Sequence, residues 1–228
     1  MGTLHVVATP IGNRDDLSPR AAEVLRQAKV VVAEDTRHSG RLLTAIGAHP
    51  RYISLPGEQE LRRTGAVLDA LQEGDVALIS DAGMPAISDP GREVVDAARR
   101  AGFSVVAVPG PSAVVAAVAA SGLRADRFTF LGFPPRQRGR LLRLLESAQA
   151  FALVFYESPH RLATTLGWLA EPLGDRRVAV AREISKLHET WYLGTAAELA
   201  GVFQEEPPRG ECTVVVESPL RAGGVGRG

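Results

Sequence analysis

The chain has 228 residues, of which 45% are hydrophobic and 23% are charged, as in ordinary globular proteins of one or two domains. Its 26 basic and 26 acidic residues balance, so the composition does not indicate a strongly basic nucleic-acid binder. The single cysteine, Cys212, excludes a disulfide framework and cysteine-built zinc sites, and no apolar run approaches a membrane-spanning length. Since the N-terminus lacks the pattern of a signal peptide, we predict a cytoplasmic protein.

Apolar, strand-like runs alternate with amphipathic segments in the first half of the chain. Strands are predicted over 4–9, 29–34, 51–55, 75–79 and 103–108. Helices are predicted over 18–28, 39–46, 59–73 and 93–101, the third with Leu61, Val67, Leu68 and Leu71 on one face. Continuous apolar strands separated by helices indicate βαβ units, and therefore a mostly parallel sheet that is covered on both faces.

A Pro-Gly-Pro run at 109–111 separates the two halves, and we predict an N-terminal α/β domain over 1–110 and a C-terminal α/β domain over 111–217. In the second half, strands are predicted over 128–133, 151–156, 177–182, 190–194 and 212–217. Helices are predicted over 113–120, 138–148 and 159–170, and between the last two strands. Because these strands follow one another more closely, the second sheet is predicted to be mixed. The glycine-rich end, 218–228, is predicted to be a flexible tail.

Several common catalytic motifs do not occur in this sequence. No G-x-G-x-x-G follows the first predicted strand, neither lysine lies in a P-loop motif, and no G-x-S-x-G is present. The five histidines show no metal-ligand spacing. We therefore predict no dinucleotide fingerprint, no P-loop, no serine-hydrolase elbow and no metal site.

Loops rich in glycine, proline and aspartate instead follow the predicted strands of the first domain. They read TPIGN at 9–13, EDTRHSG at 34–40, SDAGMPAISDPG at 80–91 and PGPSA at 109–113. Ligands of open α/β sheets bind outside the carboxyl ends of strands, glycine lets backbone approach a ligand, and Asp81 offers an acceptor for a ribose hydroxyl or a cation. Turn chemistry alone explains one such loop. Four at corresponding positions favour a binding site.

These four loops, together with FYESPHR at 155–161, resemble the motifs of the tetrapyrrole methylase superfamily. The resemblance extends over about 4–217, and the pattern is similar to the branch that methylates a cytidine ribose 2′-hydroxyl in small-subunit (16S) ribosomal RNA. It implies a tetrapyrrole-methylase-like fold of two α/β domains with a cleft between them. It also implies binding of S-adenosylmethionine without a metal, a homodimer, and a substrate RNA in an assembled or assembling small subunit.

The resemblance also assigns cofactor-binding positions, matched motif by motif. These are Pro10, Ile11, Asp81, Gly83, Met84, Pro85, Ser112, Ala113, Phe155 and Tyr156, the last two on the adenosine side. Met84 stands where the family usually has threonine, which removes one hydroxyl from the loop.

A ribose hydroxyl is a poor nucleophile until its proton leaves, so a positioned base would assist methyl transfer. The run REISKLHE at 182–189 offers Glu183 and Lys186 as candidate catalytic residues, Lys186 on condition that burial lowers its pKa. The alternatives are an ordinary charge cluster at a strand edge, or catalysis by proximity alone.

Basic residues offer candidate contacts for RNA phosphates. The predicted RNA-binding residues are Arg37 and His38 in the second loop, and Arg136, Arg138, Arg140 and Arg143 after the Pro134-Pro135 break. For the arginine group, a solvated helix face is the alternative. Two other functions stay open at this point: a small-molecule methylase on the same fold, and a noncatalytic RNA- or ribosome-binding module.

Overall fold

The protein is described by a computed structural model that covers residues 1–148 and 150–219. The chain forms two units, of which the first is Met1–Ser112 and the second begins at Ala113. Of the tail predicted over 218–228, residues 220–228 lie outside the described residues. Within the described ranges, no helix combines the length and the apolarity needed to span a membrane.

The first unit alternates strands and helices, as its sequence predicts. The strands are β1 (Thr3–Val7), β2 (Val30–Ala33), β3 (Arg51–Ser54), β4 (Val76–Leu78) and β5 (Ser104–Val108). The helices are α1 (Pro19–Gln27), α2 (Thr36–Ala45), α3 (Glu60–Glu73) and α4 (Arg92–Arg100). Helix α2 begins three residues before the predicted start, because Oδ1 of Asp35 accepts the backbone N–H groups of Arg37 at 2.7 Å and His38 at 3.2 Å.

The sheet of the first unit has the order β3-β2-β4-β1-β5, and every neighbouring pair is parallel. Successive strand residues point to opposite faces, so β2 supplies Val30 and Val32 to one apolar cluster and Val31 to the other. Both faces are therefore covered, as predicted. The prediction for Leu61 is wrong: it lies in the first turn of α3, beyond the packed residues Val67 and Leu71, and is 76% exposed.

The second unit contains a mixed sheet, which confirms the prediction of its class. Its strands are β6 (Phe128–Phe130), β7 (Ala152–Glu157), β8 (Arg177–Arg182), β9 (Thr190–Thr195) and β10 (Cys212–Val216). Its helices are α5 (Ala113–Ala120), α6 (Arg138–Ala148), α7 (Pro159–Leu173) and α8 (Ala196–Glu205). The order is β6-β7-β10-β8-β9, with β6 parallel to β7 and the other pairs antiparallel.

The two faces of this mixed sheet carry separate apolar clusters. On β7, Leu153 and Phe155 join one cluster, whereas Val154 and the partly buried Tyr156 join the other. Since the side-chain period of a strand is two residues, adjacent residues of β7 serve opposite faces. This alternation decides what each residue of the FYESPHR motif is able to contact.

Candidate functional site

Three loops of the first unit meet at the carboxyl edge of the parallel sheet. Thr9 and Gly83 exchange backbone hydrogen bonds, with N–H to O distances of 2.9 and 3.1 Å, and the Thr9 hydroxyl donates to the carbonyl of Ser80 at 3.1 Å. A Cβ placed on Gly83 would lie 3.4 Å from Cγ2 of Ile11 and 3.5 Å from the carbonyl oxygen of Pro111. The loops at 9–13, 80–91 and 109–113 are therefore in contact.

The loop after β4 has an unusual backbone conformation. Gly83 has φ +79°, and two residues with side chains, Ala86 and Ser88, have φ +65° and +66°. Left-handed backbone at non-glycine residues costs of order 1–3 kcal/mol each and persists only where the surrounding structure enforces it. Glu60 contributes to this, since its Oε1 accepts the backbone N–H groups of Gly91 at 2.9 Å and Glu93 at 2.7 Å. The loop is therefore preorganised in the way that ligand-binding loops are.

Asp81 presents an acceptor that its surroundings leave unused. Its Oδ1 atom is buried and has no hydrogen-bond partner among the described residues. A buried polar atom without a partner is costly, and such atoms are concentrated at functional sites. The structure thus offers a hydrogen-bond acceptor for a donor group of a ligand at the position that the sequence selects.

Two further carboxylates, which sequence reasoning missed, lie near Asp81. Partial burial, and then the negative charges of Asp89, Asp81 and Asp35, raise the pKa of Glu34 above its usual value. Burial and the charge of Asp81 also raise the pKa of Asp89, against a hydrogen bond from Ser80 that lowers it. None of Glu34, Asp81 and Asp89 forms an ion pair with a described residue. A positively charged ligand group would relieve this mutual repulsion.

These features fit S-adenosylmethionine. The molecule carries hydroxyl and ammonium donors for Asp81. It also carries a sulfonium charge for the acidic edge, the part of the sheet edge where Glu34, Asp81 and Asp89 lie. The backbone also comes close where glycine permits it, because a Cβ on Gly110 would lie 2.8 Å from Cβ of Ala8. Among the described residues, no group of three or more His, Cys, Asp or Glu side chains is arranged to hold a metal ion.

The other predicted cofactor positions divide between the two units. Met84 packs its side chain against an apolar cluster of the first unit, so the residue that replaces threonine contributes packing. Pro10, Pro85 and Ser112 lie in the three touching loops, whereas Ala113 opens α5 of the second unit.

The expectation for the Phe155 side chain needs correction. The whole residue is 1% exposed and its ring lies in the core of the second unit, so its side chain is not accessible to a ligand. Tyr156, on the other face of β7, contacts Phe130 and Phe133, with ring centroids 5.1 and 5.5 Å apart. The alternation of β7 side chains separates two residues that the sequence motif groups together.

Glu157, the next residue of the motif, is a buried charge with partners. Its side chain is 0% exposed and accepts the hydroxyl of Thr165 at 2.6 Å and the backbone N–H of Ser158 at 2.8 Å. Arg161, one helical turn further on, lies 3.4 Å from it. Paired charges of this kind hold a structure in place, here the start of α7 on the end of β7.

Glu183 and Lys186 occupy the loop between β8 and β9 and bind each other. Nζ of Lys186 lies 2.9 Å from Oε1 of Glu183 and 3.0 Å from Oε2 of Glu211. Partial burial would lower the pKa of Lys186, but these two carboxylates outweigh burial and raise it. For Glu183, burial acts upward, and the hydrogen bonds from Lys186 and from the Glu211 amide lower its pKa overall. The pKa of Lys186 therefore shifts in the direction opposite to the one that base catalysis by this residue requires.

The predicted RNA-binding residues all lie at the surface. Arg37 and His38 are exposed in the first turn of α2, where Asp35 holds their backbone. Arg136, Arg138, Arg140 and Arg143 are exposed at the start of α6, and none of the four forms an ion pair with a described residue. Unpaired guanidinium groups beside a helix N-terminus suit an anionic partner.

Known proteins are similar to this chain over most of its length. A family model described as Tetrapyrrole (Corrin/Porphyrin) Methylases matches residues 3–200. The chain is 43% identical over 219 residues to "Ribosomal RNA small subunit methyltransferase I" of Thermotoga maritima, covering 95% of this chain and 98% of that protein. It is 47% identical over 221 residues to the protein of the same name from Pseudomonas aeruginosa, covering 94% of this chain and 78% of the relative.

Solved structures share the fold at lower identity. Uroporphyrin-III-C-methyltransferase from Thermus thermophilus aligns with a TM-score of 0.64 at 24% identity, over 96% of this chain and 95% of that one. Cobalt precorrin-4 methyltransferase aligns with a TM-score of 0.69 at 19% identity, over 94% of each chain.

Proposed function

The chain belongs to the tetrapyrrole methylase family, and we propose that it is an S-adenosylmethionine-dependent methyltransferase of 16S ribosomal RNA that methylates the ribose 2′-hydroxyl of a cytidine. The names of relatives that are 43–47% identical over nearly the whole chain support the substrate class. One observation supports S-adenosylmethionine as the methyl donor. It is the buried Oδ1 atom of Asp81, which has no hydrogen-bond partner among the described residues and lies at the edge where three loops meet.

In this proposal, the residues of the first unit bind and orient the donor. Asp81 accepts a hydrogen bond from a donor group of the ligand, and the neighbouring Glu34 and Asp89 favour its positive charge. The bound S-adenosylmethionine supplies a methyl group whose bond to sulfur breaks as its bond to the ribose oxygen forms, leaving a neutral thioether. Holding the hydroxyl in line with that methyl group is worth up to about 7–11 kcal/mol of the barrier.

The proton of the ribose hydroxyl needs an acceptor, and we assign Glu34 to this role. Glu34 follows β2 at the carboxyl edge of the sheet, is exposed, and forms no ion pair with a described residue. A carboxylate that no described cation neutralises is able to accept the proton. We assign Glu183 and Lys186 instead to holding the loop between β8 and β9, since each neutralises the other.

The RNA contacts belong to the same proposal. Arg136, Arg138, Arg140 and Arg143 bind phosphates, and Arg37 and His38 add contacts from the first unit. One nucleotide of a large RNA is best specified by folded shape, so the substrate is an assembled or assembling small subunit. We propose further that the protein is a homodimer and that it acts in the cytoplasm, where small ribosomal subunits are found.

The test uses small ribosomal subunits from cells that lack this protein, incubated with the purified chain and S-adenosylmethionine carrying a labelled methyl group. We expect label in one 2′-O-methylcytidine of 16S RNA, identified by mass spectrometry of nucleosides. Glu34→Gln should lower kcat at saturating donor, whereas Glu58→Gln, an exposed glutamate of the same unit, should not. Label on a base, or only on an added tetrapyrrole, would overturn the proposal.

A further inference from the structure

Phe133 is an exposed aromatic residue that the proposed function does not use. It follows β6, and 61% of its surface is exposed. A single exposed apolar side chain is ordinary in a protein surface. What distinguishes Phe133 is that its backbone is fixed on both sides and that unpaired positive charges follow it directly in the chain.

The backbone on either side of Phe133 is held by hydrogen bonds. The backbone N–H of Tyr156 donates to the carbonyl of Gly132 at 2.9 Å, and Gly132 has φ +62°, a conformation that favours glycine. On the other side, the Arg161 guanidinium donates to the carbonyls of Pro134 at 3.2 Å and Pro135 at 3.3 Å. Because Pro134 is buried and the proline rings restrict rotation, the loop has little freedom to withdraw the ring.

The ring itself is supported from one side by other aromatic rings. Tyr156 contacts it at a centroid distance of 5.5 Å and an interplanar angle of 56°, and Phe130 supports Tyr156 edge-on at 5.1 Å and 72°. The exposed part of the Phe133 ring is therefore a preorganised apolar surface. Binding to such a surface does not require the side chain to be ordered first.

Positive charges that follow Phe133 closely in the chain indicate the kind of partner. Arg136, Arg138 and Arg140 come within seven residues of Phe133 in the chain, are exposed, and form no ion pair with a described residue. Binding sites for single-stranded nucleic acid combine a basic surface that follows phosphates with aromatic rings on which bases stack. A protein partner with an apolar contact would not by itself require these unpaired cations.

We propose that Phe133 is a stacking platform for an unpaired nucleobase of the substrate RNA, next to the phosphates that the arginines bind. This rests on the proposed RNA substrate and adds a binding residue to it. Stacking reads the face of a base, so the contact orients the strand with little preference for the base itself. The flanking nucleotides must then be single-stranded, or be drawn out of a helix, when the enzyme binds.

The experiment compares Phe133→Ala and Phe133→Trp with Phe151→Ala, which removes another exposed ring of the same unit. Affinity for small subunits lacking the modification is measured directly, beside affinity for S-adenosylmethionine and thermal stability. Since stacking contributes about 1–3 kcal/mol per base, Phe133→Ala should weaken subunit binding roughly 5- to 150-fold. Phe133→Trp should retain binding, and Phe151→Ala should not alter it. Donor affinity and stability should stay unchanged in all three variants.

Unchanged subunit affinity in Phe133→Ala would overturn the stacking proposal and leave the methyltransferase proposal intact. A loss of donor affinity, or a change of oligomeric state, would also overturn it, because the ring would then contact the donor or a second copy. Wild-type protein that binds subunits without methylating them would contradict the proposed function, while the Phe133 variants would still decide the stacking. Wild-type protein that does not bind subunits would overturn both.

Discussion

Two groups of carboxylates, one in each unit, have opposite surroundings. In the first unit, Glu34, Asp81 and Asp89 lie at one edge of the sheet without an ion-pair partner among the described residues, and the pKa values of Glu34 and Asp89 are raised. In the second unit, Glu157 and Glu217 are each bound by arginine. The Arg177 side chain, with Arg124, lowers the pKa of Glu217 to about 2 against the opposing effect of burial.

This difference distinguishes charges that stabilise the fold from charges that are available to a ligand. A paired, buried carboxylate fixes the elements that its partners belong to, and removing it leaves those partners without compensation. An unpaired carboxylate among other acids costs folding free energy, and that cost is recovered when a cationic ligand binds. Substitution of Glu157 or Glu217 should therefore reduce stability, whereas substitution of Glu34, Asp81 or Asp89 should reduce binding of a cationic ligand.

The largest expected effect on stability is at Glu157. Glu157→Ala should lower the free energy of unfolding by about 3–5 kcal/mol, since it removes a fully buried charge from Thr165 and Arg161. Denaturant unfolding measures it. Glu171→Ala, at an exposed position of α7, should change stability by less than about 0.5 kcal/mol. Equal effects of the two substitutions would remove the distinction between paired and unpaired carboxylates.

Asp81→Asn should weaken ligand binding without reducing stability, the opposite of the effect expected for Glu157→Ala. Loss of the charged acceptor should weaken S-adenosylmethionine binding by about 1.5–3 kcal/mol, or roughly 10- to 150-fold, by calorimetry. Stability without ligand should stay equal or rise, because one member of a repelling group loses its charge. Asp69→Asn, on the exposed face of α3, is the matched control and should leave both quantities unchanged. A destabilised Asp81→Asn protein with normal affinity would contradict the comparison.

Glu217→Gln tests the second of the two arginine-bound carboxylates, which is more exposed than Glu157. The free energy of unfolding should fall by about 1–3 kcal/mol. The lower end of this range is expected, because the Arg124 and Arg177 side chains are 54% and 56% exposed and are able to turn to water. The folded-state pKa is about 2 and lies below the unfolded value of 4.5. The contribution is therefore fully present above pH 4.5 and is lost as the pH falls through about 2.

Stability curves of wild type and Glu217→Gln at several acidic pH values measure this contribution. The difference between the two proteins should shrink as the pH falls below 4.5. Glu206→Gln, an exposed glutamate after α8, should match the wild type at every pH. A difference that grows with acid would show that Glu217 is not stabilised in its charged form.

The smallest expected effect is a pH dependence of donor binding. A bound cation favours ionised Glu34 and Asp89, so binding should lower their raised pKa values and release protons. Donor affinity should therefore fall, by less than about tenfold per pH unit, as the pH decreases through those pKa values. Calorimetry in two buffers of different ionisation enthalpy counts the protons. S-adenosylhomocysteine, whose sulfur is uncharged, is the control and should show a weaker dependence. Proton uptake on donor binding would contradict the acidic edge as the cation site.

Much of the fold could be predicted from the sequence, because the signals are local. Apolar strand runs, the Ser18-Pro19 start of α1 and the spacing of the strands indicate the elements and the classes of the two sheets. Parallel strands bring their carboxyl ends to one edge, so the meeting of the loops at 9–13, 80–91 and 109–113 also followed from topology.

Local signals were enough to predict the elements, the two sheet classes and the motifs that identify the family, since hydrophobic periodicity and turn residues act over a few positions. The three-dimensional arrangement determines which charges are neutralised. Lys186 binds Glu211, which is 25 residues further along the chain, and Arg124 binds Glu217, which is 93 residues further along. It also decided that Phe155 is buried while Phe133 is exposed on a fixed loop. The physical reason is that burial and pKa depend on neighbours in space, which residues distant in the chain supply.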